Sequence, residues 1–227
     1  MKRKISLLWS FVIVLLTVAC QNAGGNKNQN NEDTAVADTT TAKSFREEYE
    51  SVNGAKSPSG KNIHIDVHVE NDSSIIYATE EDVLELENGI VLFGFPTCPW
   101  CRNTIEPLLD FAKEQNVKIH YLNIAKIRDQ KELQQDSIAI VTTNEGTEGY
   151  RAILKKFDEV LDPYKGLGDD TIKRISSSTV LFIKDNKAFE KKSGTIESQK
   201  DPYVKLTPEQ HEELKQIYKE IYARYNQ

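Results

Sequence analysis

The residues of this 227-residue chain best suited to covalent chemistry are Cys98 and Cys101, separated by Pro99 and Trp100. A thiolate, not a thiol, attacks disulfides, and the start of a helix stabilises one through unpaired N–H groups and the positive end of the helix dipole. Pro99 suits the first helical position, where no N–H is needed. Cys101 follows one turn later, so its sulfur can reach back to Cys98 and release a trapped mixed disulfide. The spacing therefore assigns Cys98 as nucleophile and Cys101 as resolving thiol, with Arg102 adding positive charge nearby. Other uses of the pair remain open. Half of a structural zinc site would need a second ligand pair, and the only other cysteine, Cys20, lies in a targeting segment. An inert disulfide closing so short a loop would stabilise little through chain entropy. A metal carrier using the pair is a third possibility. No metal site and no cofactor are expected for thiol exchange itself.

Such a pair needs a strand to deliver it and a helix to hold it. The apolar run Ile90–Phe95 reads as a buried strand, and Pro99 to about Gln115 as an amphipathic helix whose inner face carries Ile105, Leu108, Leu109 and Ala112. Upstream, Ile63, Ile65, Val67 and Val69 alternate with His64, Asp66 and His68, which predicts a half-buried strand over 62–69. Its polar face is either solvated or, through His64, Asp66 and His68, a metal-binding face. Thr79 and Asp82 open a short helix that Asn88-Gly89 ends. Val117–Ile124 reads as a strand, and a strand-helix-strand succession implies a right-handed crossover with parallel pairing. His120 in that strand reads as a packed or capping residue rather than a base. A weaker helix is expected over 129–135, and a helical stripe runs from Tyr150 through Ile153, Leu154, Phe157 and Val160 to Leu161. Thr179–Lys184 and Ala188–Lys192 form a hairpin across Asp185-Asn186-Lys187. Thr207-Pro208-Glu209-Gln210 is a capping box with proline at the first helical position, opening a helix with Leu214, Ile217, Tyr218, Ile221, Tyr222 and Tyr225 on one face.

The N-terminus reads as an export signal over residues 1–19: Lys2, Arg3 and Lys4, then a largely apolar Ile5–Val18 that is short for a membrane span, then Ala19. Leu16-Thr17-Val18-Ala19-Cys20 resembles a bacterial lipobox, in which Cys20 would be lipidated. Thr17 departs from the usual leucine there, and an ordinary cleaved signal or an uncleaved anchor remain alternatives. Removing the signal lowers the basic residues from 29 to 26 against 35 acidic ones, so the net charge moves from −6 to −9. That charge argues against nucleic acid and anionic lipid headgroups as partners. Residues 20–45, rich in Asn, Thr, Gly and Ala, read as a flexible tether, and 46–227 as one domain.

This order of elements around Cys-x-x-Cys resembles the thioredoxin fold: an α/β three-layer arrangement with a mixed central sheet flanked by helices, here with a helical insertion before the C-terminal hairpin. Leu122-Asn123-Ile124, Ser178–Phe182 and Lys184–Lys187 match its third strand, fourth strand and hairpin. Phe95–Arg102 is similar to the active-site segment of bacteriocin transport accessory proteins, and also to that of glutaredoxins. The long insert and the 194–208 tail resemble the accessory group. The resemblance implies exchange at Cys98 and Cys101, with substrate held by Pro96, Trp100, Ser177, Ser178 and Thr179. Three features depart from the thioredoxin pattern. Ser178 replaces the usual cis-proline, so a trans peptide is expected before it. Leu92 replaces the buried acid that serves the resolving thiol, and Tyr121 the lysine that accompanies it. The third departure is the Pro99-Trp100 dipeptide itself.

The expected activity is therefore thiol-disulfide exchange on exported proteins or peptides, outside the cytoplasm of a bacterium. The chain would be anchored to the membrane as a lipoprotein and reset by a redox partner. The alternative is a non-catalytic thioredoxin-fold accessory or binding lipoprotein assisting peptide export.

Overall fold

Strand β2 (Gly89–Gly94) is buried on both faces, which is why its sequence is a continuous apolar run rather than an alternating one. The computed structural model describes residues 43–134 and 139–227. The chain order is α1 (Phe45–Glu50), β1 (Ile75–Tyr77), α2 (Glu80–Glu85), β2, α3 (Pro99–Gln115), β3 (Ile119–Asn123), β4 (Gln130–Leu133), β5 (Ile140–Asn144) and α4 (Glu148–Lys156). A 3₁₀ turn at Asp158–Val160 follows, then β6 (Asp162–Pro163), β7 (Lys173–Arg174), β8 (Thr179–Lys184), β9 (Lys187–Ser193) and α5 (Pro208–Tyr225).

The central sheet has the order β1-β3-β2-β8-β9. β3 lies parallel to β1 and β2, with Leu92 opposite Tyr121, while β2-β8 and β8-β9 are antiparallel. Alternation along β2 divides the core. Ile90 and Leu92 pack with Ile105, Leu108 and Phe111 of α3 and Leu214, Tyr218 and Ile221 of α5. Val91 and Phe93 face Val83 of α2 and Tyr150 and Ile153 of α4. The result is a mixed sheet with helices on both sides, an α/β architecture compatible with a thioredoxin-like fold. α5 starts as the capping box predicts: Thr207 Oγ1 accepts from Gln210 N while the Gln210 side chain accepts from Thr207 N.

Three local expectations are corrected. Residues 62–69 join no sheet beyond an isolated antiparallel bridge from Asn62 to Lys56, and the edge strand is β1, further along. Ile63 is 42 % exposed, whereas Val67 and Val69 are buried. After Ile63, whose N–H donates to the Ala55 carbonyl, the backbone bonds to side chains instead of a ladder: Asn53 Oδ1, Glu106 Oε1 and Glu50 Oε1 accept from the N–H groups of Val67, His68 and Val69. Alternating burial therefore arises without strand pairing. The expected helix over 129–135 is, in its described part, strand β4, paired with β5; the non-local pairing overrides a helical local preference. Phe45, at the edge of the expected tether, belongs to α1 and is 1 % exposed, packed on Tyr49 and Tyr121. The signal segment, Cys20 and the rest of the tether lie outside the described residues. Among the described residues no helix is long and apolar enough to cross a membrane.

Candidate active site

β2 ends at Gly94, and Phe95-Pro96-Thr97 carry the chain to Cys98, the N-cap of α3. The cap is made by sulfur: Cys98 Sγ accepts from the backbone N–H of Cys101 at 3.3 Å. Pro99 holds the first helical position, as its missing N–H allows. Both cysteines are free thiols; Cys98 is 4 % exposed and Cys101 fully buried.

Their environments push them apart. The Cys98 thiol is lowered from the ordinary range, first by the Cys101 side chain and then, against a desolvation penalty, by the N–H groups of Cys101 and Trp100 and the charge of Arg128. Burial pushes Cys101 well up, and the neighbouring Cys98 sulfur adds to it. One sulfur is thus prepared to carry negative charge and the other to keep its proton, the division of labour a nucleophile and a resolving thiol require.

The cation serving the sulfurs is Arg128, from the turn after β3, not Arg102. Arg128 lies over the Phe95 ring at 4.7 Å and donates to Ser177 Oγ at 3.4 Å. Arg102 is buried and spent on structure: it donates to the carbonyls of Ile65 (2.7 Å), Tyr49 (2.9 Å) and Pro96 (3.0 Å), and to Asn53 Oδ1. Adjacency in sequence misleads here because successive helical residues point about 100° apart.

Pro96 stands beside the pair, but its carbonyl is taken by Arg102. Trp100 and Ser177 line, with Cys98, a cleft of about 1150 Å³ walled by Tyr164 and Arg174. Ser178 and Thr179 are buried behind it. Ser178 Oγ shares a 2.6 Å hydrogen bond with Thr104 Oγ1, its carbonyl accepts from Gly194 N, and Thr179 Oγ1 donates to Ser176 O at 2.6 Å. The Ser177–Ser178 peptide is cis, where residue type alone implied trans. What residue type omits is that Ser178 is held from both sides, by α3 and by the loop after β9.

Leu92 is buried and apolar, so β2 supplies no acid to Cys101. Two phenols face that sulfur instead. At Gly94 a Cβ would come within 3.1 Å of Cys101 Sγ and 3.3 Å of the Tyr49 hydroxyl, so the absent side chain makes room for both. Among the described residues, the Tyr49 and Tyr218 hydroxyl oxygens are fully buried with no hydrogen-bond partner. Tyr121 lies next to Tyr49, and its own hydroxyl donates to Glu48 Oε1 at 3.3 Å. Sequence reasoning missed Tyr49 because it belongs to α1; the Ser44-to-Glu47 capping box was the signal that could have revealed that helix.

Among the described residues no His, Cys, Asp and Glu cluster is arranged to hold a metal ion. Comparison with family models, curated proteins and solved structures finds no match for the chain.

Proposed function

We propose that the protein is a thiol-disulfide oxidoreductase of the thioredoxin-like superfamily, exported and held at the bacterial membrane through Cys20, acting on exported proteins or peptides. The observation that carries this reading is the Cys98 sulfur: it caps a 17-residue helix, receives the Cys101 N–H and borders an open cleft.

In the reducing direction the Cys98 thiolate attacks one sulfur of a substrate disulfide. A Cys98–substrate S–S bond forms, and the other substrate sulfur leaves as a thiolate that takes a proton from water. Cys101 then gives up its proton and attacks Cys98. The Cys98–Cys101 bond forms, the second substrate thiolate is released, and two electrons have moved from the pair to the substrate. The reverse steps oxidise a substrate dithiol, and in either direction a redox partner must reset the pair.

The deep burial of Cys98 favours one second reading, an accessory lipoprotein whose pair is structural or regulatory. A single variant separates the two. Cys101→Ser should accumulate mixed disulfides between Cys98 and exported clients, visible on non-reducing gels and absent from Cys98→Ser/Cys101→Ser. A trap that stays empty overturns catalysis in favour of the accessory role.

A further inference from the structure

The protein carries a net charge of −6, yet the inner wall of the cleft beside Cys98 is basic. Arg128, Arg174 and Lys192 all line it, and among the described residues none has a carboxylate within salt-bridge distance. The acid in the same wall, Asp162, is already occupied: it accepts from Lys191 Nζ at 2.6 Å and from Ser193 Oγ at 3.1 Å. Lys165 and Asp170 sit on exposed positions where solvent screens them, while the exposed Glu197, with Glu213, acts on Lys192 through space without forming an ion pair with it.

The three cations are held in place. Arg128 stacks on Phe95, and Arg174 lies over the Tyr164 ring at 4.1 Å while donating to Asp129 O at 3.1 Å. Lys192 donates to the carbonyls of Ser193 and Thr195. Stacking and carbonyl contacts fix direction without neutralising charge. A partly buried cation without an anion is costly unless a ligand supplies one, and guanidinium groups are suited to bidentate capture of carboxylates.

We infer that the cleft binds the acidic flank of its substrate: a peptide segment bearing carboxylates next to the cysteine that Cys98 attacks. Arg174 and Lys192 hold that flank, and Arg128 is shared between it and the sulfur. This inference rests on the oxidoreductase reading for its use but not for its test, because binding can be read without turnover.

The test is equilibrium binding to the whole protein of two dansyl-labelled hexapeptides with serine in the cysteine position, one glutamate-rich and one lysine-rich. The glutamate peptide should bind at least about tenfold more tightly at low salt, and the difference should collapse in about 1 M salt. Arg174→Gln and Lys192→Gln should each reduce the preference several-fold in protein that circular dichroism shows to be folded at the assay temperature. Equal affinities for the two peptides, or no measurable binding of either, overturn the inference. So does a preference that survives both substitutions in folded protein. Glutathione displacing the glutamate peptide at equal or lower concentration would overturn the peptide flank in favour of a small carboxylate-bearing thiol. Turnover on a peptide disulfide, scored separately, decides the oxidoreductase reading.

Discussion

The chemistry of the site reduces to how two sulfurs one helical turn apart are made unequal. Cys98 lies where backbone N–H groups converge, and Cys101 lies in the core among phenols. Lowered from the usual thiol value of about 8.5, Cys98 should be largely thiolate at a pH where free cysteine is not, so its alkylation rate should level off below that pH. Arg128→Gln should move that inflection upward. Cys101 is shifted the other way and should react only at higher pH. In a Cys98→Ser background, Tyr49→Phe removes the hydroxyl beside Cys101 and keeps the ring, so reaction with a small thiosulfonate should slow several-fold at fixed pH, because the Cys101 thiolate loses a nearby phenol to which it could turn for a hydrogen bond as it forms. A rate that is unchanged or faster shows that the phenol does not serve the sulfur. The same shifts set the sign of the pH dependence of stability. Below the ordinary thiol range the unfolded chain holds the proton that native Cys98 has lost, so stability rises with pH. Above it, native Cys101 keeps a proton that the unfolded chain has lost, so stability falls.

At the scale of elements, the helix that carries the cysteines is also the clamp for the N-terminal segment. Arg102 of α3 ties together α1, the extended stretch 65–69 and the segment before Cys98 through donors to three carbonyls and Asn53. Arg102→Met fills much of the same volume but leaves those buried acceptors without donors. It should cost roughly 2–4 kcal/mol in chemical denaturation, and hydrogen exchange should rise first in residues 45–69. A uniform rise across the sheet would mean the clamp is not local. These contacts explain why α3, its capping and its inner face were legible in the sequence while α1 was not. The 99–115 stripe repeats over several turns, whereas α1 is six residues long and owes its stability to Phe45 and Tyr49 burying against Tyr121 from β3. The β4-β5 hairpin was illegible for the same reason, since each strand depends on a partner several residues away.

At the scale of the whole molecule, the proposed membrane anchoring turns on Cys20 and is separable from the exchange chemistry at Cys98 and Cys101. Cys20→Ser should move the protein from the membrane fraction to the soluble extracytoplasmic fraction while the exchange activity of purified protein stays the same. A variant still in the membrane fraction would point to an uncleaved signal anchor. Read alone, the sequence determined the Cys-x-x-Cys helix, the buried strand before it, the C-terminal hairpin and the capped last helix. Each of these is written in local periodicity or in capping chemistry that acts within a few residues. Only the tertiary structure decided which cation faces the sulfurs, which hydroxyl lies beside Cys101, how Ser178 is held, and that the inner cleft wall is basic. Arg128, Tyr49 and Arg174 come from three separate elements, and their charge and burial near Cys98 exist only once the sheet has brought those elements together.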